Sequence, residues 1–117
     1  MFSDRYRSWS EAKTKCEQEG YILAQPEEAI AVSLRQHLYE AHGDGFAWLG
    51  AQGDGSKFVY AHGGLALDNA SPLWRSGHPG SRVGDEMCLQ LMVGGSLHSA
   101  EPYFTNPCLA TFNALCE

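Results

Sequence analysis

The pattern of apolar and polar positions opens with a helix. Ser8-Trp9-Ser10-Glu11 has the form of a capping box, in which the Ser8 hydroxyl and the Glu11 carboxylate each satisfy a backbone donor of the first turn. Trp9, Ala12 and Cys16 then fall on one face, Lys13, Lys15, Glu17 and Gln18 lie elsewhere, and Gly20 supplies the stop. A second helix is written by Pro26 at its first position and by Glu27 and Glu28 at the positive end of the dipole. Its apolar stripe is Ile30, Leu34, Leu38 and Ala41, ending at Gly43. His37 and His42 sit near its C-terminus, where the dipole favours a cation. From Phe46 the period shortens. Phe46–Ala51 and Phe58–Ala61 are short aromatic and β-branched runs separated by Gln52-Gly53-Asp54-Gly55-Ser56, which predicts a hairpin. Residues 62–86 have little periodicity and many turn formers, a long loop of the kind that carries function. Cys88–Val93, closed by Gly94-Gly95, and Ala110–Cys116 are two further strand candidates. The order is two helices, then strands around a long loop.

Length and charge narrow the classes. At 117 residues, 44% of them apolar, the chain is sized for a single domain over residues 1–117. Fourteen acidic against eight basic residues give a net charge of −6, which leaves no broad cationic face for a nucleic-acid partner. No apolar run approaches the roughly 20 residues of a membrane span, so no membrane insertion is expected. The first residues lack the apolar core of a signal peptide, and if the protein is secreted its leader lies outside this sequence.

Cys16, Cys88, Cys108 and Cys116 contain no C-x-x-C pair of the kind that zinc or redox sites use. An even count, with 13 glycines and five prolines, reads as a disulfide framework in an oxidising, extracellular compartment. Asn69-Ala70-Ser71 is an N-glycosylation sequon consistent with that compartment. Four cysteines allow three pairings, and spacing alone does not choose among them. A Cys16–Cys116 bridge would close nearly the whole chain, and a Cys88–Cys108 bridge would tie a strand to the segment beyond Gly94-Gly95.

In order and spacing these elements resemble a C-type lectin-like domain of the short, four-cysteine form. The resemblance is carried by Trp9-Ser10-Glu11-Ala12 before Cys16, Leu23-Ala24, Trp48-Leu49-Gly50, Trp74, Glu86 two residues before Cys88, then Cys108 and the terminal Cys116-Glu117. It implies an α+β fold with two helices flanking a mixed, twisted sheet, a long projecting loop as ligand surface, and the pairs Cys16–Cys116 and Cys88–Cys108. The family's usual first strand is expected to be mostly missing. The resemblance also implies Ca²⁺ in the loop, coordinated by hard oxygens and by vicinal sugar hydroxyls.

The ligand positions depart from that pattern. The loop proline is flanked as His78-Pro79-Gly80, with no side-chain oxygen on either side, and the triplet before the third cysteine is Tyr103-Phe104-Thr105 rather than Trp-Asn-Asp. Glu86 is the one position that matches a calcium ligand; Asp85 beside it points to the opposite face if the segment is extended. Asn106 and Glu101-Pro102-Tyr103 imitate parts of the motif out of register. No cofactor is therefore expected, and no metal site. The expected ligand-binding loop residues are His78, Glu86, Tyr103, Thr105 and Trp74. Trp48 and Trp74 read first as core anchors, and Tyr103 and Phe104 read as core unless exposed. The expected function is recognition of glycans or microbial surface polymers without the usual calcium, the alternatives being calcium-independent protein recognition and a matrix or assembly component, oligomeric in that case. No catalytic motif is present, and no enzyme activity is expected.

Overall fold

In the computed structural model, described for residues 2–42, 45–71, 73–74, 83–93 and 102–117 (with the side chains of 2–6, 28, 29, 32, 41 and 42 excepted), eight elements follow in sequence. They are β1 (Phe2–Arg7), α1 (Trp9–Gln18), α2 (Glu28–His42), β2 (Gly45–Gly53), β3 (Phe58–Tyr60), β4 (Met87–Val93), β5 (Tyr103–Pro107) and β6 (Phe112–Leu115). The capping box forms as the sequence dictates. The Ser8 amide and hydroxyl donate to Glu11 Oε1 at 3.1 and 2.9 Å, and the Glu11 amide donates back to Ser8 Oγ. Those bonds lower the Glu11 pKa below its usual range, helped by the charge of Arg7.

The strands form one mixed sheet in the order β1-β6-β2-β4-β5, with β3 added to β2. The β2–β6 pair is parallel and the other pairs are antiparallel. β1, the strand expected to be mostly missing, is present and pairs Phe2 with Leu115 and Ser3 with Ala114.

Alternation along the strands divides the interior into two cores. On one face Trp48, Cys88, Ala114 and Cys116 meet Trp9, Ala12 and Cys16 of α1. On the other, Ala47, Leu49, Leu89, Leu91 and Tyr103 meet Ala31 and Leu38 of α2. The α1 stripe is the one its periodicity predicts. Of the expected α2 stripe, Leu38 is buried and Leu34 packs against the core, but Ile30 is 53% exposed while Ala31 and Arg35, not in that stripe, are buried. Desolvation lowers the Arg35 pKa.

The disulfides are Cys16–Cys116 and Cys88–Cys108. The first spans 100 residues and joins α1 to the C-terminal end of the chain beside β6; the second spans 20 and joins β4 to the end of β5. In the loop-entropy description the longer closure stabilises by about 4 to 5 kcal/mol and the shorter by about 3 kcal/mol. Replacing Cys16 and Cys116 together by alanine is thus expected to lower the unfolding free energy more than replacing Cys88 and Cys108. Denaturant titration of both double variants checks that order.

Candidate functional site

The segment Val83–Glu86, which leads from the long loop into β4, is held by the β2–β3 hairpin. Asp54 begins the hairpin turn and its Oδ1 accepts the amides of Ser56 and Lys57, each at 2.9 Å. These bonds hold its carboxyl well below the usual carboxylate range. The turn so fixed presents the Gly55 amide to the Val83 carbonyl at 2.7 Å. Gln52 Nε2 donates to the Asp85 carbonyl at 2.6 Å. Gly53 lies so close to Val83 and Gly84 that a Cβ there would overlap their backbone carbonyls, so only glycine permits this approach. Met87 N–H donates to the Gly84 carbonyl at 3.0 Å and Cys108 N–H to the Glu86 carbonyl at 2.8 Å, which closes the turn and ties it to the second disulfide. Glu86 is thereby placed, exposed, at the start of β4 with its carboxylate folded over Gly84.

Beside it, β4 and β5 end in an open depression of about 400 Å³ lined by Met87, Thr105, Asn106 and Pro107. Pairing of Met87 with Pro107, Cys88 with Asn106 and Leu89 with Thr105 sends Thr105 and Asn106 to opposite faces. Asn106 Nδ2 donates to Gln90 Oε1 at 2.5 Å. Gln90 is fully buried, and its Nε2 has no hydrogen-bond partner.

The structure distributes the expected site residues unevenly. Glu86 and Thr105 are near the depression, Glu86 exposed and Thr105 2% exposed. Tyr103 is fully buried and meets the buried Trp74 edge-on at 5.5 Å; Trp74 also packs on Phe58 at 5.4 Å and donates its indole N–H to the Asp68 carbonyl. These two rings are core, as their alternative reading holds, and present no face to a ligand. His78, Pro79 and Gly80 lie outside the described residues, as does Glu101. Asn69 is exposed, with Nδ2 donating to the Ser56 carbonyl at 2.9 Å, far along the chain from the depression. Asn106, set aside from the motif as out of register, lines the depression, and Met87 and Pro107 join it. The available signal was positional: residues flanking two bonded cysteines on paired strands must converge.

A calcium ion does not fit what is present here. Of the triplet positions, Tyr103 is buried against Trp74, Phe104 carries no oxygen, and Thr105 offers one hydroxyl on the buried face beside Leu89, leaving the Glu86 carboxylate as one charged donor. Among the described residues no three His, Cys, Asp or Glu side chains come together. A cation that needs six to eight oxygens lacks them at these positions.

Comparison with solved structures places the architecture. The chain superposes with a TM-score of 0.78 on TC14, a C-type lectin from the tunicate Polyandrocarpa misakiensis, at 22% identity over 99% of this chain and 93% of that one. It matches SPL-1, solved as a GlcNAc complex, with a TM-score of 0.76 at 18% identity, covering 99% of this chain and 83% of that one. A Ca²⁺-dependent type II antifreeze protein in its Ca²⁺-free form gives 0.75 at 23% identity, over 99% and 87%. The chain has the C-type lectin fold. No family model matches the sequence, and no curated protein sequence matches it.

The hairpin support yields a pH prediction. A carboxylate whose pKa is depressed on folding stabilises the fold above its ordinary value, 3.8 for Asp54 and 4.5 for Glu11, and that contribution fades as pH falls below it. The melting temperature is expected to drop between about pH 5 and pH 2, with a shallower drop in Asp54→Asn. Thermal unfolding of both proteins across that range reads the difference. Gly53→Ala is expected to cost about 1 to 3 kcal/mol, measured by the same method at neutral pH.

Proposed function

We propose that this chain is an extracellular glycan-recognition domain that binds sugars without calcium, through the depression formed by Met87, Thr105, Asn106 and Pro107 with Glu86 at its edge. The observation that carries the reading is an open, partly apolar hollow with an amide in its lining, next in the chain to exposed Glu86, on a fold one of whose members is solved with GlcNAc. Sugar hydroxyls both donate and accept, and Asn106 and Glu86 offer groups of the kind that meet them, while Met87 and Pro107 supply apolar surface for the C–H face of a ring. The calcium-ligand positions are degenerate, so affinity rests on direct hydrogen bonds and contact. The same reading makes residues 1–117 one recognition domain that binds and does not catalyse. It places the disulfides, and Asn69 as a glycan acceptor, outside the cytosol. Microbial surface polymers are the extended form of such ligands.

Three results are expected from a panel of neutral glycans and microbial polysaccharides probed with the purified chain. Binding persists when calcium is replaced by chelator, and Asn106→Ala weakens it roughly tenfold while also lowering the melting temperature, because buried Gln90 loses its donor; Glu86→Gln, at an exposed position, weakens binding without that loss of stability. Binding abolished by chelator would contradict the calcium-independent mechanism, and an Asn106→Ala variant of full affinity would move the site elsewhere.

A further inference from the structure

Four of the eight Lys and Arg residues of this acidic chain fall between positions 5 and 15: Arg5, Arg7, Lys13 and Lys15. Two of them face one groove. Where β1 hands over to α1, a groove of about 330 Å³ is lined by Arg7, Ser10, Glu11, Thr14, Lys15 and Gln18. Those α1 positions recur every three or four residues and make up the helix face turned away from the Trp9, Ala12 and Cys16 core. Arg7 is fixed from behind, because the Trp48 indole N–H donates to its carbonyl at 2.9 Å. Its Nε is shielded from solvent and has no hydrogen-bond partner. A guanidinium N–H withdrawn from water without an acceptor is unfavourable, and because Arg7 lines the groove a turn of its side chain brings that N–H to an oxyanion there, which relieves it.

The other charges define which oxyanion fits. Glu11 stays ionised, its Oε1 accepting the Ser8 amide and hydroxyl beside the charge of Arg7, so the groove sets two cations against one anion, and Lys13 turns away to Glu17 at 2.8 Å. Lys15 is half-exposed and only loosely paired with Glu19 at 3.9 Å, so its ammonium can turn into the groove. Arg7 and Lys15 then face an anion, with the Ser10 and Thr14 hydroxyls and the Gln18 amide as neutral donors. Glu11, Glu19 and the net charge of −6 penalise a dianion. A singly charged tetrahedral group satisfies both conditions.

We infer that this groove is a second binding site, separate from the β4–β5 depression, for the sulfate ester of a glycan, held side-on by Arg7 with Lys15 and the two hydroxyls. The test is calorimetric titration of the whole chain with an otherwise neutral tetrasaccharide carrying one sulfate ester, its desulfated counterpart, inorganic sulfate and a phosphodiester polymer. The sulfated sugar is expected to bind, weakening as NaCl rises, and the desulfated one to show no binding at this site. Arg7→Gln is expected to weaken the sulfated sugar about tenfold and Lys15→Gln about threefold, while Asn106→Ala leaves it unchanged, which separates this site from the depression. Lys15 is exposed enough that its variant folds even where Arg7→Gln is destabilised. Equal binding of sulfated and desulfated sugars, or full affinity in both variants, overturns the site. Tighter binding of the phosphodiester polymer, or of free sulfate alone, overturns the assignment to a glycan sulfate.

Discussion

Strand β2 is the constraint on which the rest of the molecule depends. It pairs with β3, β4 and β6, and its alternating residues belong to both cores, Trp48 beneath α1 and Ala47 and Leu49 beneath α2. Three backbones also close on it. A Cβ at Gly50 would stand 2.8 Å from the Leu23 carbonyl, and one at Gly53 would overlap Val83 and Gly84. The glycines of β2 therefore let the helical half of the chain and the base of the long loop dock on the same strand. Through Gln52, Gly53 and the Asp54 turn, β2 sets the position of Glu86 and, through Cys88–Cys108, of the end of β5.

Much of this was legible in the sequence because it rests on local chemistry. The capping box of α1 and the stripe of Trp9, Ala12 and Cys16 follow from side-chain spacing on a helix, and the structure reproduces both. The hairpin around Asp54-Gly55 follows from turn chemistry. The α2 face was legible at Leu34 and Leu38 but not at its edges, because tertiary packing decides where the stripe ends: Ala31 and Arg35 are buried and Ile30 is exposed. β1 was likewise hidden, since Phe2–Arg7 alternates weakly and becomes a strand only by pairing with β6.

The site was legible as a region and less so as residues. The sequence pointed to the segments around Glu86 and the residues before Cys108, and both reach the same end of the sheet. Which side chains face outward there is decided by strand register. Pairing of Leu89 with Thr105 and Leu91 with Tyr103 sends those two to the buried face and Asn106 to the other, and the depression at the strand ends takes in both Thr105 and Asn106. A motif defined by identity misses such a residue, because a fold does not dictate the chemistry carried on its surface. The same fold is found in a tunicate C-type lectin, a protein solved with GlcNAc and an antifreeze protein.

The most direct measurement is a backbone amide NMR titration of the calcium-free protein with a neutral oligosaccharide that it binds. The account predicts that shifts concentrate at Glu86, Met87, Thr105, Asn106 and Cys108, and that adding calcium leaves them in place. Shifts that arise only after calcium is added, or that cluster away from the β4–β5 end, would contradict it.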